Sequence, residues 1–138
     1  MDDGIAKLKR ALVASGRDFL IALHSDNGGW PCGAHLCGSN APRRGAKFDF
    51  MEGALKVPAL LYSPTLLPAR SDFAPLFHHV DWLATFLSAA TGASFADVAA
   101  TLGPGYDSRS QYDAVRTGAA RGPRPPPRAT DTSDRARA

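Results

Sequence analysis

Asp26-Asn27-Gly28-Gly29 sets a carboxylate beside a side-chain amide at the end of the apolar run Phe19-Leu20-Ile21-Ala22-Leu23-His24-Ser25. Both groups offer hard oxygens, the donors that Ca²⁺ and Mg²⁺ prefer. An apolar run of this length bounded by a Gly-rich turn reads as a buried strand, and ligands of open α/β sheets collect just past the carboxyl ends of such strands. Neighbouring side chains on a strand point to opposite faces, so both oxygens reach one ion only after the chain leaves the strand. The two glycines permit that turn. An Asn-Gly hairpin is the competing reading, but Trp30-Pro31-Cys32-Gly33 does not alternate as a return strand would.

Further along, Cys32 and Cys37 are too few for a structural zinc site unless His35 and others join them. A local disulfide is equally open; closing so small a loop would fix the shape of a turn rather than add much stability. Glu52 reads as a loop carboxylate paired with Lys56 or Arg44, His78 and His79 as structural histidines, and Asp81 as the N-cap of a helix.

These residues need elements to position them. Ile5, Leu8, Leu12 and Val13 recur at helical spacing before Gly16, which predicts an amphipathic helix over 2–15. The buried strand covers 18–24, and a long loop rich in Gly, Pro, Asn and Cys runs over 25–46. A second strand is expected over Leu55–Tyr62, with Pro58 marking an edge or a start. Helices are expected from Asp81 to Gly92, over Phe95–Leu102 and over Gln111–Arg116. The order helix, strand, loop, strand, helix is that of an α/β architecture with an incomplete sheet, because two strands and a few helices leave apolar edges without partners.

The chain has 138 residues, the length of one domain, and is 44% hydrophobic. Its formal net charge of +3 is carried by residues 118–138, where five arginines face Asp131 and Asp134. The folded part is therefore neutral by count, which argues against a nucleic-acid partner, since binding needs a basic face rather than a basic average. The stretch Gly122-Pro123-Arg124-Pro125-Pro126-Pro127-Arg128 reads as a disordered tail. No run reaches the apolar length of a membrane span, and the Met1-Asp2-Asp3 start is not that of an export signal.

Four segments, in order and at compatible spacing, resemble the sulfatase family, in particular its arylsulfatase B-like branch. Ser25-Asp26-Asn27-Gly28-Gly29 is similar to the family's metal-binding segment. Asn40-Ala41-Pro42-Arg43-Arg44-Gly45-Ala46-Lys47 is similar to its Pro-Leu-Arg-Gly-x-Lys pattern. Met51-Glu52-Gly53-Ala54-Leu55-Lys56-Val57-Pro58 resembles Glu-Gly-Gly-Val-Arg-Val-Pro, and His78-His79-Val80-Asp81-Trp82-Leu83-Ala84-Thr85 resembles His-x-x-Asp-Trp-Leu-Pro-Thr. The likeness implies a partial alkaline-phosphatase-like sandwich over residues 1–117, an incomplete mixed sheet with flanking helices, followed by the tail over 118–138. It implies that Asp26 and Asn27 bind Ca²⁺ and that Lys47 contacts the substrate sulfate and acts in catalysis. His35, in the variable loop, is a candidate substrate contact.

Sulfate-ester cleavage builds negative charge on the sulfuryl and leaving oxygens, so a divalent cation and a fixed ammonium beside them lower the barrier. Lysine suits a tetrahedral anion because its compact charge needs no fork geometry. Departures accompany the likeness: Ala54 and Lys56 replace Gly and Arg, Ala84 replaces the helix proline, and Ser108 stands where the family pattern expects Gly. The family's nucleophile is a formylglycine made from the Cys of Cys-x-Pro-x-Arg, and neither Cys32-Gly33-Ala34-His35-Leu36 nor Cys37-Gly38-Ser39-Asn40-Ala41 fits that pattern.

The leading reading is thus the C-terminal part of an arylsulfatase-like catalytic domain carrying half of a Ca²⁺ and sulfate site, inactive alone. Its partners would be a sulfate-ester substrate, such as a sulfated glycan, and the N-terminal half of the domain. The full-length family protein is expected to be secreted or lysosomal. The alternative is a non-enzymatic paralogue that keeps the loop for cation binding or partner docking.

Overall fold

The computed structural model describes residues 1–30, 38–69 and 72–118. Cys32, His35 and Cys37 lie outside the described residues, as does all of the expected tail beyond Gly118. The chain divides into two compact units, Met1–Leu66 and Leu67–Ala138.

The first unit opens with helix α1, Asp2–Ala14. Asp2 and Asp3 in its first turn complement the positive end of the helix dipole. Its end is tied down by the Ser15 hydroxyl, which donates to the Leu12 carbonyl at 2.6 Å. The amphipathic pattern is only half used: Ile5 and Leu12 are partly buried, while Leu8 and Val13 stay exposed. Lys9 of this helix holds its ammonium 4.6 Å from the centre of the Tyr62 ring.

Strand β1, Ile21–His24, pairs antiparallel with strand β2, Ala59–Tyr62, in the register Ile21↔Tyr62 to His24↔Ala59. Among the described residues the sheet is two-stranded and antiparallel. The expected buried strand is shorter than 18–24 and is not buried: Leu23 is 44% exposed and its partner Leu60 56%. Both strands of a two-stranded sheet are edges, so apolar sequence alone does not put them inside. The second strand also begins later than predicted, because Glu52–Leu55 forms a single helical turn, α2, whose end is closed by the Lys56 N–H on the Glu52 carbonyl at 2.8 Å.

The second unit carries helices α3, Asp81–Thr91, α4, Phe95–Leu102, and α5, Tyr112–Thr117. Helix α3 stops at Gly92, whose φ of 69° suits a residue without Cβ. A reciprocal capping box between Ser94 and Asp97 starts α4. Asp81 is not the N-cap the sequence predicts; Val80 holds that position, and Asp81 is the buried first residue of α3. Its carboxylate accepts from the His78 N–H at 3.1 Å, the Arg109 N–H at 3.0 Å and the Gln111 side-chain amide at 3.4 Å. Two more bonds tie the segment before α5 to α3: the Ala84 N–H donates to the Ser108 hydroxyl at 3.0 Å and the Gln111 N–H to Thr85 Oγ1 at 2.9 Å.

The apolar side chains buried among the described residues are small: Ala54, Ala84, Val98 and Ala114. Polar bonding to Asp81, Thr85 and Ser108 therefore carries much of the specificity of the second unit. No single helix among the described residues is long and apolar enough to cross a membrane.

Candidate functional site

The first unit turns sharply after β1. The Asn27 N–H donates to Asp26 Oδ1 at 2.8 Å, the Ser25 hydroxyl to the Asn27 carbonyl at 2.7 Å, and Asn27 Nδ2 to the Gly28 carbonyl at 2.9 Å. The turn leaves Asp26 exposed and Asn27 partly buried. With its amide nitrogen bonded to the Gly28 carbonyl, Asn27 has its side-chain carbonyl as the end of the amide that can serve as a hard-oxygen donor.

Two glycines let the neighbouring loops close on this turn. The Gly28 N–H donates to the Ala54 carbonyl at 2.8 Å and the Gly53 N–H to the Arg44 carbonyl at 2.7 Å. A methyl group on Gly28 would collide with the Gly53 carbonyl oxygen, and one on Gly53 with the carbonyls of Arg44 and Gly45. Ala54 thus stands beside a position where only glycine fits, and its own methyl is accommodated in a buried site.

Asn40 links the two loops that carry the candidate residues. Its Oδ1 accepts from the Gly29 N–H at 2.8 Å, while its Nδ2 donates to the Gly29 carbonyl at 3.3 Å and the Gly45 carbonyl at 3.1 Å. The second lone pair of the Gly29 carbonyl takes the Lys47 N–H at 2.9 Å. Lys47 is thereby tied to a residue three positions after Asp26. Its ammonium lies 5.4 Å from the centre of the Trp30 ring and 5.7 Å from that of Phe48, a cation–π geometry. The two rings meet edge to face at 5.1 Å. Phe48 has a φ of 84°, a left-handed conformation rare for a bulky residue.

The backbones of the Asp26-Asn27 and Lys47 segments are therefore brought together, but Asp26 and Lys47 form no ion pair. Glu52 pairs with Lys56, one of the two partners its position suggested, at 3.9 Å. Both side chains are well exposed, so the pair contributes little. His78 is structural in its bonding, with Nδ1 accepting from the Val80 N–H at 3.3 Å.

Among the described residues no group of three or more His, Cys, Asp or Glu side chains is placed to hold a metal ion. Asp26 and Asn27 fit as two hard-oxygen ligands of a Ca²⁺ site and do not make a site alone, since the ion takes 6–8 oxygens. The sequence reading missed the roles of Asn40, Trp30 and Phe48. An asparagine preceding a Pro-containing loop, able to answer both the N–H and C=O of an extended strand, was the available signal for Asn40.

The turn that carries Asp26 and Asn27 is thus clamped to the turn that carries Lys47, on loops of an α/β protein. The chain belongs to the sulfatase family: a family model described as Sulfatase matches residues 1–93. Among curated proteins it is similar to Arylsulfatase J of Mus musculus, with 33% identity over 100 residues. That stretch covers 71% of this chain and 16% of the mouse protein, so the chain spans a small part of the relative it matches. No solved structure matches it significantly. Family membership implies an alkaline-phosphatase-like fold, of which the described residues form a small α/β portion with a two-stranded antiparallel sheet.

Proposed function

We propose that this chain contributes the C-terminal portion of an arylsulfatase B-like sulfuric ester hydrolase site, arranged on an incomplete sandwich of that fold. Asp26 and Asn27 would supply two of the Ca²⁺ ligands, Lys47 would contact the sulfate of the substrate, and His35 would touch the substrate from the loop between the cysteines. When bound, the cation would withdraw charge from the sulfate oxygens. Lys47 would hold an ammonium against the same oxygens as negative charge builds on them. Asn40 would keep the two contributions in register. The observation that supports this reading best is the shared Gly29 carbonyl, which receives both the Lys47 N–H and the Asn40 amide.

Covalent sulfuryl transfer needs an activated nucleophile, and no Cys-x-Pro-x-Arg segment occurs in the 138 residues. The polypeptide alone should turn over no chromogenic aryl sulfate above background. Nuclear magnetic resonance titration of the same polypeptide tests the half-site: Ca²⁺ should shift the amides of 25–29 with millimolar affinity, and sulfate should shift Lys47. Asp26→Ala should abolish the first response and Lys47→Ala should abolish saturation by sulfate at the remaining loop amides. Amides of 25–29 that ignore Ca²⁺, or turnover abolished by Lys47→Ala, would each refute the proposal.

A further inference from the structure

The turn at 46–49 carries a bulky residue where a small one is usual. It is closed by the Asp49 N–H on the Ala46 carbonyl at 2.9 Å and by the Ala46 N–H on Asp49 Oδ2 at 2.8 Å. Phe48, its third residue, has a φ of 84°, the conformation for which such turns place glycine or asparagine. A phenylalanine there is strained, and strain of this kind persists where the surroundings use it. Burial does not offset it, because Phe48 is 73% exposed.

The strained conformation achieves a contact instead. The Phe48 ring meets the half-exposed Trp30 edge to face at 5.1 Å, and the Lys47 ammonium lies 5.7 Å and 5.4 Å from the two ring centres. Among the described residues that ammonium has neither an ion pair nor a hydrogen bond. Asp49, the acid nearest to it in sequence, has Oδ2 engaged by the Ala46 N–H. A ring face attracts a cation without supplying an oxygen acceptor, so the N–H donors of Lys47 keep their capacity for an oxyanion. A lysine that is already placed also loses less rotamer freedom when the anion arrives.

We infer that Trp30 and Phe48 are positioning residues: their rings hold the Lys47 ammonium in place before an oxyanion binds and leave its N–H groups for that anion. This positioning deepens, and rests on, the reading of Lys47 as the sulfate contact.

The test is nuclear magnetic resonance of the 138-residue chain with two readouts, the order of the Lys47 Cε methylene from carbon relaxation and the affinity for inorganic sulfate at fixed ionic strength. In the wild type the Lys47 methylene should be more ordered than that of Lys7, which is exposed on α1. Trp30→Leu and Phe48→Leu should each lower the order at Lys47 towards that of Lys7 and weaken sulfate about three- to tenfold, the range for one side chain that must be immobilised on binding. Trp30→Phe and Phe48→Tyr should restore both readouts. Exchange of the Lys47 amide should stay unchanged throughout, because its bond to the Gly29 carbonyl does not involve the rings. Phe48→Gly separates positioning from packing: it relaxes the strained φ, so the melting temperature should not fall, while sulfate weakens as in Phe48→Leu. Wild-type Lys47 as mobile as Lys7, with a sulfate response that Lys47→Met abolishes, would overturn the positioning role and leave the Lys47 reading standing. Ring variants that bind sulfate as well as the wild type, or better, would overturn it too. An ordered Lys47 in a wild type that shows no sulfate response, or one that Lys47→Met leaves intact, would refute the Lys47 reading and the positioning role with it.

Discussion

Replacing Asn40 by alanine should release the Lys47 loop from the Asp26 turn. The substitution removes three hydrogen bonds, at 2.8, 3.3 and 3.1 Å. At about 1 kcal/mol net for each bond, and less for the longest, the loss amounts to roughly 2–3 kcal/mol. At 1.4 kcal/mol per factor of ten, that corresponds to about 30- to 150-fold in the equilibrium for local opening. The readout is hydrogen exchange at the Lys47 and Gly29 amides, whose protection reports local opening directly. Lys47 is informative because its amide bonds to Gly29 and not to Asn40, so faster exchange there means that the clamp has opened and not merely that one partner was deleted. Asn40→Asp keeps the acceptor for Gly29 but sets a carboxylate against the Gly29 and Gly45 carbonyls, and should accelerate exchange at Lys47 at least as much. Lys47 protection unchanged within twofold in both variants would refute the claim that Asn40 joins the two halves of the candidate site.

Gly28→Ala forces a methyl group into the Gly53 carbonyl and should destabilise the first unit by several kcal/mol or prevent its folding; circular dichroism and melting of the variant check this, and a melting temperature within a few degrees of wild type would contradict the packing described. Ala84 and Ser108 replace a proline and a glycine of the family pattern, and the two replacements meet in one buried hydrogen bond at 3.0 Å. Ser108→Gly should cost about 1–3 kcal/mol by orphaning the Ala84 N–H. Adding Ala84→Pro should recover at least about 1 kcal/mol, since proline has no N–H to satisfy; additive losses in denaturant titrations would show that the two positions are independent. Trp30→Leu and Phe48→Leu should each remove part of the upfield ring-current shift of the Lys47 ε-methylene protons in the nuclear magnetic resonance spectrum, whereas Trp30→Phe should retain most of it; an ε-methylene at its ordinary position in the wild type would contradict the cation–π geometry.

Elements set by neighbours in sequence were legible before any tertiary contact was known. Gly92 ends a helix because the left-handed conformation there suits glycine, and Phe95–Leu102 is the helix its pattern predicts. The Asp26-Asn27 turn and the motif order that led to the sulfatase family were likewise readable from residue types. What the sequence could not decide depends on distant partners. Leu60 is apolar whether or not a layer covers it, so the exposure of β1 and β2 and their antiparallel pairing follow from which strand lies alongside. Leu55 closes a helical turn instead of opening the second strand, and Gly53 of that turn packs under the carbonyls of Arg44 and Gly45. Asp81 is buried because it serves Arg109, 28 residues away, and Asn40 acts as a clamp because Gly29, 11 residues before it, offers both a donor and an acceptor. Local bonding preferences are properties of a few adjacent residues, whereas burial and clamping require two segments to meet, and only the tertiary structure determines which segments do.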